Sequence, residues 1–429
     1  MTEQRKRTVT IITIATSMLS PLLILAWPTF PGAAAQLLYI AALIGYMGII
    51  LLLWMYILGT RAVTGLIFTD IAPVLAIHKW LGRFAVPMIF LHPMLIAFSY
   101  GGNLLQNMIP RFSTPTEQHI FFGQVAFSLL LLTWTTSALL RSKMKFRPWK
   151  YLHYLAYLCV PFALLHVPDL GSQQQSSSLV NGLYTLLVGV FVLFTLIRAR
   201  SLFNIDKARY IIESIEFPTS EDAVITVQPV GKPLRSSRPG QFIYVKQGLI
   251  SEDHPFSALL HNEDTSALTL GVRNTGPYTQ QLHTLKPGTV LYLSGPYGSF
   301  TSDIHESELA PVFIAGGIGI TPFMRYLTES NEAQLFYANR SKTTSLLYAE
   351  LRTRLGDNLY AFFGQRKDAT ESNEYPGRVT ADHIQRNVTS LADRHFYVCG
   401  PVGMLKATTD DLASLGVPKA HIHIEEFGW

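Results

Sequence analysis

The sequence predicts a multidomain membrane protein: a six-helix α-helical transmembrane bundle, then an antiparallel β-barrel, then an α/β domain with a parallel sheet. Three observations predict it. The first 200 residues are dominated by apolar runs that approach the ~20 residues of a membrane span. Residues 207–305 carry short alternating β-branched runs between Pro-Gly and Gly-Pro turns, the pattern of a small barrel. Residues 306–429 alternate apolar strands with helical stretches, the pattern of a parallel sheet. The expected boundaries are therefore 1–200, 207–305 and 306–429.

The apolar runs lie at 8–27, 35–58, 80–99, 119–140, 151–167 and 179–198. Basic residues alternate between their loops. Arg5, Lys6 and Arg7 precede the first run, and Arg61, Lys79 and Arg83 flank the 2–3 loop. Arg141, Lys143, Lys145, Arg147 and Lys150 crowd the 4–5 loop, and Arg198, Arg200, Lys207 and Arg209 follow the sixth. The other loops hold Arg111 alone. This positive-inside pattern places both termini in the cytoplasm. Ala33-Ala34-Ala35 after the first run resembles a signal-cleavage site, but the run is long for a signal, so a retained first helix is expected. The net charge of +5 sits mostly in these loops, which argues for membrane topology and against nucleic-acid binding. Two cysteines, Cys159 and Cys399, exclude a disulfide framework, a zinc cluster and covalent haem attachment.

Two runs carry paired histidines. His78 and His92 are fourteen residues apart, and His153 and His166 thirteen. On a helix each pair spans about 20 Å, most of the ~30 Å hydrocarbon core. Two such helices side by side would present two His–His pairs, one near each face. That is the requirement of two stacked haems b, each with two axial imidazoles. The alternative is four unrelated polar residues at helix ends, but intramembrane ionisable groups are rare and usually functional. Thirteen residues leave His166 about 140° from His153 on a regular helix. An irregularity near Pro161 is therefore expected.

In the barrel region, His254-Pro255-Phe256-Ser257 reads as an apolar loop ending in a hydroxyl that could line an isoalloxazine, or as a simple turn. Arg273, Gly276 and Thr279, the last opening a helix over 279–285, suit a pyrophosphate. Beyond it, Gly316-Gly317-Ile318-Gly319-Ile320-Thr321-Pro322 joins a strand to a helix, with Thr321 a natural N-cap and Pro322 a natural first residue. The glycines would let a pyrophosphate approach the backbone, or merely form a tight turn. Arg340 ends the next strand, where it suits a ribose 2′-phosphate and so NADPH, or is simply solvated. Cys399-Gly400-Pro401 ends another strand at the ligand-binding edge of the sheet. Cys399 either meets a nicotinamide or is a small buried residue.

Taken together these residues resemble the ferric reductase and NADPH oxidase superfamily, in its bacterial-type form of a six-helix di-haem domain joined to a ferredoxin–NADP reductase-like half. The resemblance covers nearly the whole chain. It rests on His78/His92 and His153/His166, on Pro239-Gly240-Gln241-Phe242, His254–Ser257 and Gly295-Pro296-Tyr297-Gly298, and on Gly316–Pro322 and Cys399-Gly400-Pro401. It implies FAD, two haems b and NADPH as cofactors, the four histidines as iron ligands, and electron transfer through an integral plasma-membrane protein surrounded by lipid. The implied acceptor is a small molecule: oxygen, giving superoxide, or a ferric chelate. An electron-supply role for an extracytoplasmic partner protein is the third reading, although no protein partner is required. The resemblance also implies a terminal aromatic stacked on the flavin, Phe427 or Trp429. One departure stands out. Superoxide-forming eukaryotic relatives carry basic residues beside the outer haem, whereas Leu37–Met47 has none and the position four after His92 is Ile96.

Overall fold

The computed structural model describes residues 3–27, 32–101, 109–168, 170, 177–249, 251–302, 304 and 309–426. They fall into two compact units, Met1–Leu202 and Phe203–Trp429.

The first unit is helical: α1 (Glu3–Leu19), α2 (Ala33–Leu58), α3 (Ala72–Trp80), α4 (Leu91–Ser99), α5 (Pro115–Trp134), α6 (Phe146–Tyr154), α7 (Ala156–His166) and α8 (Ser178–Leu202). Helix α2 is the centre of the packing, burying Ile49, Leu51, Leu53 and Tyr56 against residues of α3, α5, α7 and α8. Helix α5 starts at Pro115 because Thr114 caps it: the Glu117 N–H donates to Thr114 Oγ1, and the Glu117 carboxylate accepts the Ser113 and Thr114 N–H groups. Among the described residues, five helical stretches are long and apolar enough to cross a bilayer, including the run from Ala72 to Ser99.

The remaining predicted span is divided. It breaks at Leu155, between α6 and α7, and not at Pro161, which lies inside α7. At the break the Leu155 N–H donates to Leu152 O and the Leu158 N–H to Leu155 O. These three-residue steps overwind the chain. The extra rotation has the sense that narrows the angular offset between His153 and His166. The other histidine-bearing span is irregular too. A π turn at Leu81–Ala85 underwinds it, and a 3-10 turn at Val86–Phe90, where Pro87 removes an N–H, overwinds it again. The two departures offset each other, so His78 and His92 keep nearly the relation a regular helix would give.

The second unit begins with a closed antiparallel barrel of β1 (Ala208–Glu216), β2 (Asp222–Pro229), β3 (Phe242–Lys246), β4 (His254–His261), β5 (Leu268–Arg273) and β6 (Val290–Tyr297), in the order β1-β2-β5-β4-β3-β6. Alternate residues such as Tyr210, Ile225, Val245, Leu270 and Leu291 fill it. His254–Ser257 is not a loop: it opens β4, with Pro255 opposite Tyr244 and Ser257 opposite Phe242. The helix expected over 279–285 is α9 (Pro277–His283), two residues earlier, because the Thr279 hydroxyl reaches back to cap it.

The barrel is followed by a six-stranded sheet, parallel throughout, of β7 (Val312–Gly316), β8 (Gln334–Asn339), β9 (Leu359–Phe363), β10 (Glu374–Pro376), β11 (Phe396–Gly400) and β12 (Ile422–Glu426). Its order, β10-β9-β8-β7-β11-β12, makes β7 and β11 the neighbours at which the winding reverses. Helices α10 (Thr321–Glu329), α11 (Tyr348–Leu355), α12 (Ala381–Asn387) and α13 (Val402–Ser414) connect these strands.

One buried carboxylate ties the β10 edge together. Glu374 accepts hydrogen bonds from Lys342 Nζ (2.7 Å), Tyr348 OH (2.5 Å) and the N–H groups of Thr370 and Glu371 (2.8 and 2.9 Å). Burial alone would raise its pKa, but these donors outweigh burial and hold it at about 2, below the usual 4.5. Its stabilisation is therefore fully present above about pH 4.5 and is lost as the pH falls toward 2. The shift corresponds to ~3 kcal/mol. Glu374→Gln should lower the melting temperature of the detergent-solubilised chain at pH 7, with the deficit shrinking as the pH approaches 2. A deficit independent of pH would show that the carboxylate charge is not what holds this edge.

Candidate redox centres and nucleotide site

The helical unit brings the four histidines together in the expected pairs. The rings of His78 (end of α3) and His153 (α6) have centres 6.1 Å apart at 81°. Those of His92 (α4) and His166 (end of α7) are 6.2 Å apart at 89°. With metal–nitrogen bonds of about 2 Å and each nitrogen about 1 Å from its ring centre, one ion held between two imidazoles sets the centres about 6 Å apart. Both pairs fit that requirement.

The outer nitrogens are also organised. His92 Nδ1 lies 2.8 Å from Ala41 O, and His166 Nδ1 lies 2.9 Å from His119 O. Each carbonyl accepts the Nδ1–H, which fixes the tautomer and leaves the Nε2 lone pair for a metal. His153 Nδ1 lies 3.0 Å from Ser137 Oγ, which also accepts the Trp149 Nε1–H at 3.2 Å. Trp149 stacks on the His153 ring at 5.2 Å, and the Arg141 guanidinium lies 4.5 Å from a Trp149 ring centre. His78 Nδ1 is buried beside the Met55 backbone without a well-formed hydrogen bond.

Glycine makes room for the second pair. A Cβ on Gly123 of α5 would overlap the His166 imidazole, and one on Gly45 of α2 would sit 3.0 Å from His92 Cε1. Ser137, Trp149, Gly45 and Gly123 escaped the sequence reading, and Arg141 entered it only as a loop charge. The signal available was glycine inside an apolar helix, which costs about 1 kcal/mol relative to alanine and needs a reason.

In the second unit, His254 stacks on Tyr278 with ring centres 3.7 Å apart, and Tyr278 OH donates to Val245 O at 3.0 Å. Phe256 lies at 6.3 Å from the same ring, and Ser257 is buried. Gly276 is the N-cap of α9, and the Thr275 and Gly276 N–H groups donate to Thr279 Oγ1. Arg273 is paired with the fully buried Asp222, Nε to Oδ1 at 2.7 Å and Nη2 to Oδ2 at 2.8 Å. Burial opposes the guanidinium charge, but Asp222 more than compensates and raises its pKa. Nη2 also donates to Thr344 O, and Nη1 faces Gly317, where a Cβ would collide with it. Arg273 thus joins the barrel to the glycine turn.

That turn, Gly317–Ile320, is 3-10, so the chain is already helical at Thr321. Ile320 takes the cap position, Pro322 falls second, and the Thr321 hydroxyl donates to Ile318 O at 3.0 Å. The turn lies against the end of β11. A Cβ on Gly319 would overlap the Cys399 carbonyl, and Pro401 Cδ and Gly400 Cα pack against Gly316. Strand ends meeting at a winding reversal form the crevice in which open α/β sheets bind ligands. Cys399 is fully buried, and burial together with Glu425 pushes its thiol well above its usual pKa. Arg340 follows β8 with its side chain 86% exposed. Phe427 and Trp429 lie outside the described residues.

Comparison with known proteins agrees with this arrangement. Residues 44–164 match the ferric reductase like transmembrane component family, and residues 313–410 the oxidoreductase NAD-binding domain. The reductase component of propane 2-monooxygenase from Mycolicibacterium smegmatis is 26% identical over 239 residues, covering 52% of this chain and 68% of that protein. Ferric reduction oxidase 4 of Arabidopsis thaliana is 24% identical over 313 residues, covering 71% of this chain and 42% of the relative. The chain also spans 38% of a Xylella fastidiosa flavohemoprotein, so it covers less than half of each of these last two. A solved FAD/NAD-binding domain of a nitric oxide dioxygenase from Vibrio cholerae aligns over 52% of this chain and 99% of its own, at 23% identity and a TM-score of 0.46. A transmembrane component of the ferric reductase type is here continuous with a FAD- and NAD-binding, ferredoxin reductase-like half, an arrangement consistent with the ferric reductase and NADPH oxidase superfamily.

Proposed function

We propose that this integral membrane oxidoreductase is an NADPH oxidase that carries electrons from cytoplasmic NADPH to oxygen on the far side, forming superoxide. The observation that carries the reading is the pair of facing imidazole couples, 6.1 and 6.2 Å between ring centres. His78 with His153 would hold the inner haem b, and His92 with His166 the outer one. FAD and haem supply the redox chemistry when bound, a two-electron acceptor feeding one-electron carriers.

The chain's own residues bind, orient and insulate. Ala41 O, His119 O and Ser137 Oγ set the ring orientations of three ligands. His254–Ser257, Arg273, Gly276 and Thr279 are the proposed flavin contacts. Gly316, Gly317, Gly319, Thr321, Pro322, Gly400 and Pro401 shape the dinucleotide crevice, with Arg340 toward the 2′-phosphate. The full burial of Cys399 supports reading it as a packing residue at this crevice rather than as a participant in proton or hydride chemistry. With both termini cytoplasmic and the inside negative, outward electron flow is assisted by ~2.3 kcal/mol per charge at 100 mV.

Ferric-chelate reduction is the second reading. It is favoured by the ferric reduction oxidase among the relatives and by the lack of basic side chains in Leu37–Met47, beside the outer pair. The test uses purified protein in detergent, loaded with haem and FAD. NADPH consumption in air, with cytochrome c reduction abolished by superoxide dismutase, is the expected result. Consumption only on addition of ferric chelate, under air or argon alike, would replace oxygen by iron as the acceptor. No turnover with either, despite haems reducible by dithionite, would favour delivery to a protein partner.

A further inference from the structure

The end of β8 carries two opposite charges from two parts of the second unit. Arg340 comes from the sheet. Glu221 comes from the turn before β2 of the barrel, and its Oε1 lies 3.5 Å from Arg340 Nη1. The position of Glu221 is imposed by its neighbours. Thr219 Oγ1 accepts the N–H groups of Glu221 (3.2 Å) and Asp222 (2.9 Å), and Glu221 O accepts the Asn274 N–H at 2.9 Å. Asp222 turns inward to Arg273, and Glu221 is left facing the sheet, its other oxygen 3.9 Å from Arg273 Nε. Its side chain is 32% exposed and that of Arg340 86%. An ion pair this exposed contributes little to stability, so the fold does not require it. Lys342, two residues on, is already engaged by Glu371 and Glu374, both at 2.7 Å.

In dinucleotide-binding sheets the strand beside the glycine turn ends at the adenosine ribose. A carboxylate there accepts the 2′-hydroxyl of NADH, and an arginine there accepts the 2′-phosphate of NADPH. Here β8 is that strand, and both chemistries meet at its end. We propose that Glu221 is a specificity-determining residue: with Arg340 it forms a shared ribose-2′ site that admits both NADH and NADPH, the carboxylate holding NADPH preference below what Arg340 alone would give. The inference rests on the reading of this edge as the dinucleotide site. A 2′-phosphate brings between one and two negative charges, so it must either displace the carboxylate from Arg340 or bind beside a like charge. A 2′-hydroxyl meets neither obstacle and can donate to Glu221.

The test is calorimetric binding to the full-length chain in detergent, with no electron acceptor. Two probes differ only at the 2′ position: adenosine 2′,5′-bisphosphate and adenosine 5′-monophosphate. Glu221→Gln should tighten the bisphosphate about three- to tenfold, more at low salt than at high, and leave the monophosphate unchanged or slightly weaker. Arg340→Gln should weaken the bisphosphate selectively. In the double variant the two probes should bind nearly alike. A merely structural Glu221 would shift both probes by the same factor or neither, and either result overturns the proposal while Arg340 dependence keeps the dinucleotide site. Failure of the wild-type chain to bind either probe overturns the site itself, and the proposal with it.

Discussion

Replacing His92 with alanine is expected to stop electron delivery to an outside acceptor while sparing NADPH-dependent reduction of a soluble dye that draws electrons from the flavin. The two readouts separate because the nucleotide crevice and the His92–His166 pair lie in different units. Losing an outer-shell partner of a metal ligand costs about 10–100-fold, and losing the ligand itself should cost at least as much. The fold should survive. The substitution removes one buried ring and leaves the Ala41 carbonyl without its donor, a cost of about 1–3 kcal/mol. Bound haem should fall from two per chain to one, and a redox titration should lose one component. Added imidazole should restore part of the delivery by filling the vacated position. An unchanged rate of external acceptor reduction would defeat the two-centre pathway. Loss of dye reduction as well would point to misfolding, which the parallel variant His166→Ala would repeat only if the whole helical unit were at fault.

The histidine pairs were legible in the sequence because ionisable groups stand out against apolar runs and their spacing measures depth in the bilayer. What surrounds them was not. Ser137 and Trp149 orient His153 from 16 and 4 residues away, and the break that follows at Leu155 carries no Gly or Pro signature of its own. Pro161, the residue that looked disruptive, is absorbed within α7. In the barrel, β2, β3, β5 and β6 announced themselves by alternation, but β4 was disguised by Pro255, a residue that argues against a strand. The Asp222–Arg273 pair joins residues 51 positions apart, and no local pattern predicts which acid an arginine will meet. The glycine turn was read correctly as a strand–helix junction. Its cap was misplaced by one residue, because a 3-10 turn had already begun the winding.

The second large effect is expected at Gly123. Its position in α5 is set against the His166 ring so closely that a Cβ would overlap Nδ1, Cε1 and Cγ together. A rigid imidazole has no flexible end to move aside. This one is held by its Nδ1–H on His119 O, while the His119 ring in turn bonds Leu165 O at 2.7 Å, so α5 and α7 are interlocked on both sides of the contact. Gly123→Ala must therefore either push the helices apart or turn His166 off its axis. Overpacking of this kind typically costs about 1–3 kcal/mol. The larger consequence is loss of the outer ligand geometry. The variant should retain the inner haem, lose most of the outer one and behave in external electron delivery much like His92→Ala. Gly45→Ala is the graded comparison, because its Cβ would stand 3.0 Å from His92 Cε1 and a small shift relieves it. Gly182→Ala in α8 is the control: nothing lies within 4 Å of its Cβ, so the helix should gain up to about 1 kcal/mol with no change in haem content. Full retention of both haems in Gly123→Ala would mean that His166 is not seated where this contact puts it, and the outer pair would lose its geometric basis.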